Sequence, residues 1–139
     1  MPCLGHNQPE RDLILSPQHR LRLSSNIIRG STWKYQALVS VKDLLQLEGV
    51  DVVDTDAPIT YYHIMTPEHQ LIMAHGCLGE TLFTGPQALR MIPAESRREL
   101  HALSPDMDMG TTPVRPHLRG RPLDKVIARH QDNGREFTH

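Results

Sequence analysis

The sequence is poor in aromatic residues and has no long hydrophobic run. Aromatic side chains make up only 4% of the 139 residues, whereas glycine and proline occur 9 and 11 times. This composition predicts a modest core and frequent turns, which favours a β-rich fold over a helical bundle. No apolar run approaches the roughly 18 residues of a membrane-spanning helix, and the first residues lack the basic and apolar regions of a cleaved signal peptide. We therefore expect a soluble, single-domain protein, in a compartment that the sequence leaves open.

The chain also lacks an excess of charge of either sign. Lysine and arginine number 15 against 16 acidic residues, so the net charge is −1. No global field attracts nucleic acid or an acidic membrane surface, and we expect neither as a partner. The two cysteines, Cys3 and Cys77, form neither a metal-binding quartet nor a Cys-x-x-Cys pair, and a disulfide between them is left open. The sequence predicts no metal and no cofactor.

The most β-like stretch runs from residue 59 to residue 76. Its β-branched and aromatic residues predict two strands folded over a turn at Thr66-Pro67-Glu68. In that register His63 and His69 become diagonal neighbours on one face, roughly 7–8 Å apart at the backbone. The hairpin would therefore bring these two histidines within side-chain reach of each other.

The other predicted elements follow from local patterns. Alternation in 20–23 predicts a strand with Leu21 and Leu23 facing the core, and His19 has the same parity beside a bend at Ser16-Pro17. The best helix is predicted at 93–103, where a proline opens the first turn. The remaining predictions are strands at 13–15, 33–41, 50–53 and 77–83, a loop at 24–32, a helical turn at 42–47, a short helix from 84, and a surface-hugging or partly ordered tail after 104.

An ordered set of segments resembles the bacterial branch of the Hint (Hedgehog/intein) domain. The matching segments are 10–20, 61–64, 68–76, the turn 83–86, the helix from 93, and 115–120. The resemblance implies an all-β, Hint-type horseshoe that is partial and has a short C-terminal helical extension. It divides the chain into a carboxyl-terminal portion of a Hint domain at 1–91 and a helix with a Pro/Arg-rich tail at 92–139.

The resemblance also implies an autoprocessing activity. Hint domains attack the peptide bond before their own first residue, usually cysteine, and a Thr-x-x-His motif supplies a histidine that polarises the bond and protonates its leaving nitrogen. Here Ser16 to His19 matches that motif with serine for threonine. His63 stands where many inteins carry aspartate, and His69 falls near a later family histidine. We therefore expect Ser16, His19, His63 and His69 as catalytic residues, with the three histidines in one cleft.

One feature departs from the family pattern. The family nucleophile lies well upstream of the Thr-x-x-His strand, whereas this sequence begins just before it. Cleavage at Cys3 would release only a dipeptide, and Cys77 follows the histidine strand. We therefore expect a carboxyl-terminal Hint portion that is inactive alone. Its expected partner is an amino-terminal Hint fragment or extein-like segment, and uncovered sheet edges predict self-association.

Two other classes of function fit the same residues. The chain could be a non-catalytic β-rich interaction module, in which His63 and His69 are merely a packed cross-strand pair. It could also be a metal-binding or hydrolytic domain that uses His19, His63 and His69, although zinc needs three or four convergent ligands. Metal content after purification would separate the second alternative from the first.

Overall fold

The fold is built on a four-stranded antiparallel sheet. The computed structural model describes residues 4–5, 7–32, 35–83, 90, 92–103 and 113–137. The strands lie in the order β2-β1-β4-β3, and each neighbouring pair is antiparallel. Their bounds are β1 Arg20–Ser24, β2 Gln36–Ser40, β3 Leu71–Ala74 and β4 Cys77–Glu80. The helices are α1 Asn26–Thr32, α2 Ala94–Leu103 and α3 Gly120–Asp132, with a 3-10 turn at Val41–Leu44.

The alternation of leucine and arginine in β1 gives the sheet two unlike faces. Leu21 and Leu23 are buried on one side, as predicted, and the arginines between them point to the other side. The strand register extends this division to β2 and β4. We call one side the apolar face, defined by Leu21, Leu23, Ala37, Val39 and Cys77. We call the other side the charged face, defined by Arg20, Arg22, Leu38, Ser40 and Glu80.

Helix α1 occupies the segment predicted to be a loop at 24–32, so that prediction is wrong. The Ser25 hydroxyl accepts the backbone N–H of Ile28 at 3.2 Å and caps the helix. Ile27 and Ile28 are buried in the core. The tertiary burial of these two side chains outweighs the weak helix propensity of the polar residues around them.

Helix α3 corrects the prediction of a surface-hugging or partly ordered tail for residues 120–132, whereas residues 104–112 of that predicted tail lie outside the described residues. Its buried side chains are Leu123, Val126, Ile127 and His130, spaced three and four apart as on one helix face. They join the core that covers the apolar face. The glycine, proline and arginine at the start of this helix hid that periodicity, and the helical extension is longer than expected. Helix α2 confirms the helix predicted at 93–103, although none of its residues is buried.

The central hairpin is displaced from its predicted position. Strands β3 and β4 pair across His75-Gly76, both of which have positive φ, as in a tight hairpin turn. Residues 59–65 form no strand, and neither do 13–15 or 50–53. The diagonal cross-strand pairing of His63 and His69 is therefore wrong. Of the strand predicted at 33–41, Gln36–Ser40 forms β2, while residues 33–34 lie outside the described residues. The helical turn predicted at 42–47 begins one residue earlier, and the short helix predicted from 84 lies largely outside the described residues.

The described helices are too short or too polar to cross a membrane. Helix α3, at 13 residues, is the longest of them. A spanning helix needs about 20 predominantly apolar residues, and α3 has charged residues along its length.

Candidate functional site

The carboxylate of Glu80, at the end of β4, is the centre of a buried polar network. Its Oε1 accepts the backbone N–H of Arg20 at 3.1 Å. Its Oε2 accepts the Nε–H of Arg20 at 2.9 Å, a terminal guanidinium N–H at 2.7 Å, and the Nε2–H of His69 at 2.9 Å. The Arg20 and Glu80 side chains are each 10% exposed. Sequence reasoning missed this ion pair, since its members lie 60 residues apart.

The hydrogen bonds keep Glu80 ionised in spite of its burial. Burial alone would raise the pKa of this carboxyl, because it disfavours the charged form. The hydrogen bonds from His69 and Arg20, together with the positive charge of Arg20, outweigh burial and lower the pKa below its usual value. Glu80 is therefore an anion at neutral pH, and Arg20 compensates its charge.

His69 connects this network to the segment before α3. Its Nδ1 accepts the backbone N–H of Val114 at 2.9 Å, so this nitrogen carries no proton. Its Nε2 then carries the proton that is donated to Glu80, and the ring is neutral in this arrangement. The ring also contacts Phe83, with 5.0 Å between ring centroids. Both ring nitrogens are engaged within the protein, so His69 ties the segment around Val114 to the sheet.

His19 is held by the predicted bend at Ser16. The backbone N–H of His19 donates to the Ser16 carbonyl at 3.1 Å, which closes a turn over Pro17. The turn is attached to the end of β2, because the carbonyls of Pro17 and His19 accept the backbone N–H groups of Lys42 and Val41. The bend thereby fixes the direction in which the half-buried His19 side chain leaves the backbone.

The His19 ring lies against the backbone of Gly79. A Cβ at position 79 would be 3.1 Å from His19 Nε2 and 3.5 Å from a Leu21 methyl carbon. That distance is tighter than ordinary van der Waals contact, so glycine makes the close approach of the imidazole possible. His19 and Leu21 therefore lie on the same side of β4, as their parity in the sequence predicts.

The pKa of His19 is lowered, chiefly by burial, which disfavours the imidazolium. The carboxylate of Glu80 opposes this effect, whereas positive charge on His63 and Arg20 adds to it. His63 is exposed, yet close enough for its charge to act on His19. The structure thus brings His19 and His63 into electrostatic reach of each other.

The single cleft predicted for the three histidines is divided by β4. His19 approaches Gly79 from the side of Leu21, which is the apolar side. His69 bonds to Glu80, the next residue along the strand, whose side chain points to the charged face. His69 therefore acts on the opposite side of the strand from His19. The catalytic roles of Ser16, His19, His63 and His69 stay predictions.

The sequence also left open a disulfide between the two cysteines and a metal site formed by the histidines. Cys77 is 3% exposed within β4, and Cys3 lies outside the described residues, so their disulfide stays untested. In the part of the chain that the structure describes, no group of three or more His, Cys, Asp or Glu side chains is placed to hold a metal ion. The metal-binding alternative based on His19, His63 and His69 therefore has no support from this geometry.

The chain was compared with known protein families and structures. The model of a family described as the Hint domain matches residues 1–86 of the 139. No curated protein and no solved structure matches the chain. Because the family match spans more than half of the chain and agrees with the antiparallel sheet, the prediction of a β-based Hint fold is confirmed, and the chain belongs to the Hint domain family.

Proposed function

We propose that this chain is the carboxyl-terminal portion of an autoprocessing Hint module, derived from a self-cleaving or protein-splicing ancestor. In this proposal it is inactive alone and acts with an amino-terminal Hint segment that carries the nucleophile. The observation that carries the proposal is the half-buried His19 ring beside Gly79, held by the Ser16 turn that corresponds to the family motif. Backbone hydrogen bonds of the turn fix the position of this histidine.

The proposed chemistry is an acyl shift from nitrogen to sulfur. The thiol sulfur of the incoming segment forms a bond to the carbonyl carbon before it, and the C–N bond of that peptide group breaks. The thiol proton goes to neutral His19, which returns it to the leaving amide nitrogen. A lowered pKa suits the first of these steps, since His19 is then neutral at pH 7. Ser16 orients His19, and the charge of His63 helps to lower the pKa of His19. His69 supports the sheet through its hydrogen bond to Glu80.

The nucleophile in this proposal comes from another segment because Cys77 is unsuitable. Its side chain is part of the core on the apolar face. The residue is only 3% exposed, so its sulfur is out of reach of an incoming carbonyl group. Cys77 is therefore assigned a packing role.

An exposed apolar stretch supports the need for a partner. Residues 50–65 run without regular structure. Their most exposed large apolar side chains are Val52 76%, Val53 59%, Ile59 53%, Tyr61 50%, Tyr62 88% and Ile64 56%. Apolar side chains exposed in one continuous segment are typical of an interaction surface. We propose that the amino-terminal Hint segment covers this stretch and that the chain self-associates without it.

The test supplies the partner and measures cleavage. An amino-terminal Hint segment with its cysteine, fused to a reporter, is co-expressed with the full chain, and released reporter is measured on gels over time. Replacing His19 by alanine is expected to slow cleavage by about 10²–10⁴-fold, the usual contribution of a general acid–base residue. His101→Ala, on the exposed surface of α2, is the matched control and is expected to cleave at the wild-type rate.

The exposed stretch at 50–65 also favours a second candidate, a non-catalytic interaction module that has kept the Hint fold. In that case the reporter fusion binds the chain but is not cleaved, and His19→Ala changes neither result. Equal cleavage by wild type and His19→Ala would contradict the acid–base role. Binding without cleavage by the wild type would favour the interaction module.

A further inference from the structure

Residues 51–64 are an exposed segment whose two ends are fixed to the rest of the fold. Every residue in this range is exposed, and none belongs to a helix or a strand. Just before the segment, Val50 packs against the core and donates its backbone N–H to the Leu47 carbonyl at 3.3 Å. At the far end, the Ile64 carbonyl accepts the backbone N–H of Leu82, which follows β4, at 2.8 Å. The segment is therefore held beside the sheet while its side chains are in contact with solvent.

The second half of this segment has the composition of a strand. Its large apolar side chains, each at least half exposed, are those of Ile59, Tyr61, Tyr62 and Ile64. β-Branched and aromatic residues favour strands because their side chains pack well on a half-buried sheet. An extended segment of another chain can pair with such residues, with main-chain hydrogen bonds and side-chain burial both contributing to affinity. Residues 59–64 are therefore suited to pairing with a strand that a partner supplies.

The first half of the segment is acidic. Three exposed aspartates, Asp51, Asp54 and Asp56, lie close together in the sequence, which contains no lysine or arginine between Lys42 and Arg90. The whole chain has a net charge of only −1, so negative charge is concentrated locally in this segment. Potentials across an interface are usually complementary, and like charges placed against each other exclude a partner. The charge therefore favours a cationic partner.

We propose that residues 51–64 are the docking surface for a strand of a partner protein that combines lysine or arginine with β-branched or aromatic residues. Burial of the apolar side chains supplies most of the affinity, because exposed ion pairs add little. The aspartates select the partner and speed its association. Pairing with the same segment of a second copy is weaker, since it brings the aspartates of both copies together. This inference rests on the partner required by the proposed function and specifies the chemistry of its docking strand.

The test measures the binding of three short synthetic peptides to the full chain at constant ionic strength, from the fluorescence anisotropy of a dye on each peptide. Lysine and valine alternate in the first peptide, glutamate replaces lysine in the second, and serine replaces valine in the third. The lysine–valine peptide is expected to bind saturably, and the other two at least about tenfold more weakly. Equal binding of the first two peptides, or of the first and third, would overturn the proposal.

Charge variants locate the bound peptide on the chain. The double substitution Asp54→Asn and Asp56→Asn is expected to weaken binding of the lysine–valine peptide by about two- to tenfold, the range expected for the loss of exposed ion pairs. The matched control, Glu95→Gln with Glu99→Gln, removes two carboxylates from the exposed surface of α2 and is expected to bind like the wild type. Equal affinities of the two double variants would overturn the proposal.

An aromatic variant tests the apolar half and distinguishes a partner from a second copy. Tyr62→Ala is expected to weaken peptide binding by about tenfold, as truncation of a central interface tyrosine often does. Leu103→Ala, which removes a side chain that is 72% exposed on α2, is the control. Self-association of each variant is measured by size-exclusion chromatography. Loss of self-association in Tyr62→Ala with unchanged peptide binding would identify a contact between copies and would overturn the proposal.

The binding assay is independent of the cleavage assay. Peptide binding as expected, without cleavage of the reporter fusion, would contradict autoprocessing and support the docking surface. Cleavage of the reporter fusion by a chain that binds none of the peptides would support autoprocessing and overturn the docking surface. Failure of one proposal is thereby distinguished from failure of the other.

Discussion

The two faces of the sheet are held by different interactions. The apolar face is covered by α1 and α3 and is stabilised by burial of many aliphatic side chains, which is non-directional and shared among many contacts. The charged face depends on one carboxylate, Glu80, which receives hydrogen bonds from Arg20 and His69. A substitution in the first face is expected to cost free energy in proportion to the volume removed. The cost of a substitution on the charged face is expected to depend on whether it leaves a buried charge without a counterion.

The largest effect is expected at Glu80. Replacing it by glutamine keeps the shape but leaves the buried Arg20 guanidinium without its counterion. Breaking a buried ion pair from one side costs about 3–5 kcal/mol. The free energy of unfolding from urea titration measures this loss, and Glu95→Gln on the exposed surface of α2 is the control. A loss no larger than that of the control would mean that the charged face does not depend on Glu80.

A somewhat smaller loss is expected from the apolar face. Leu23 is 1% exposed, and its replacement by alanine leaves a cavity between β1 and the helices. Such substitutions cost about 2–5 kcal/mol, with the value set by how far the surroundings relax. The same urea titration applies, with Tyr62→Ala as the control because that ring is 88% exposed. Equal losses in the two variants would contradict the position of the core.

A loss of about 1 kcal/mol is expected from Ser25→Ala, the usual cost of removing a helix cap. The Ser25 hydroxyl accepts the Ile28 N–H and donates to Nε2 of the buried His130 at 2.8 Å. The substitution therefore weakens the junction of α1 with α3 without touching the charged face. Ser96→Ala on α2 serves as the control. Amide hydrogen exchange in α1 is expected to become faster in Ser25→Ala alone.

The smallest expected effect is a difference between the two faces in how their contribution to folding stability depends on pH. Burial, as the main cause, lowers the pKa of His130, whose Nδ1–H donates to the Arg135 carbonyl at 3.0 Å. The unfolded chain then binds more protons, so this stability is present above pH of about 6.5 and is lost as the pH falls below it. Glu80 has a lowered pKa, so its contribution is lost only as the pH falls below about 4.3.

These two windows are separable by experiment. Unfolding midpoints in urea are measured from pH 7.5 to pH 3.5 for the wild type, His130→Gln and Glu80→Gln. His130→Gln should flatten the profile between about pH 6.5 and 5, and Glu80→Gln should flatten it below about pH 4.3. His19 and His117 also have pKa values lowered mainly by burial, so part of the upper slope is expected to persist in His130→Gln. An unchanged upper slope would contradict the burial of a neutral His130.

Several parts of this fold were predictable because they depend on neighbouring residues. The alternation in β1 predicted which leucines are buried, and Ser16-Pro17 predicted the bend that positions His19. Helix α2 was predictable from its proline and first-turn glutamate. In each case the signal and the structure lie within a few residues of each other, so local sterics and capping suffice.

The displaced hairpin had a different cause. Residues 59–65 have strong β character, but their side chains remain largely exposed and do not pair as a strand. The less obvious segment at β3 does pair, because His75 and Gly76 adopt the positive φ angles of a tight turn. Strand propensity reflects how well side chains pack on a half-buried sheet. Which segment is half-buried in a sheet depends on the rest of the fold.

The sequence by itself determined the family, the two unlike faces of β1 and the Ser16 bend, since these depend on residue type and short spacing. Only the tertiary structure decided that Glu80 pairs with Arg20, that His69 lies across β4 from His19, and that α3 completes the core. These contacts join residues far apart in the chain. Their partners are chosen by the burial and charge compensation of the whole fold, which no local pattern contains.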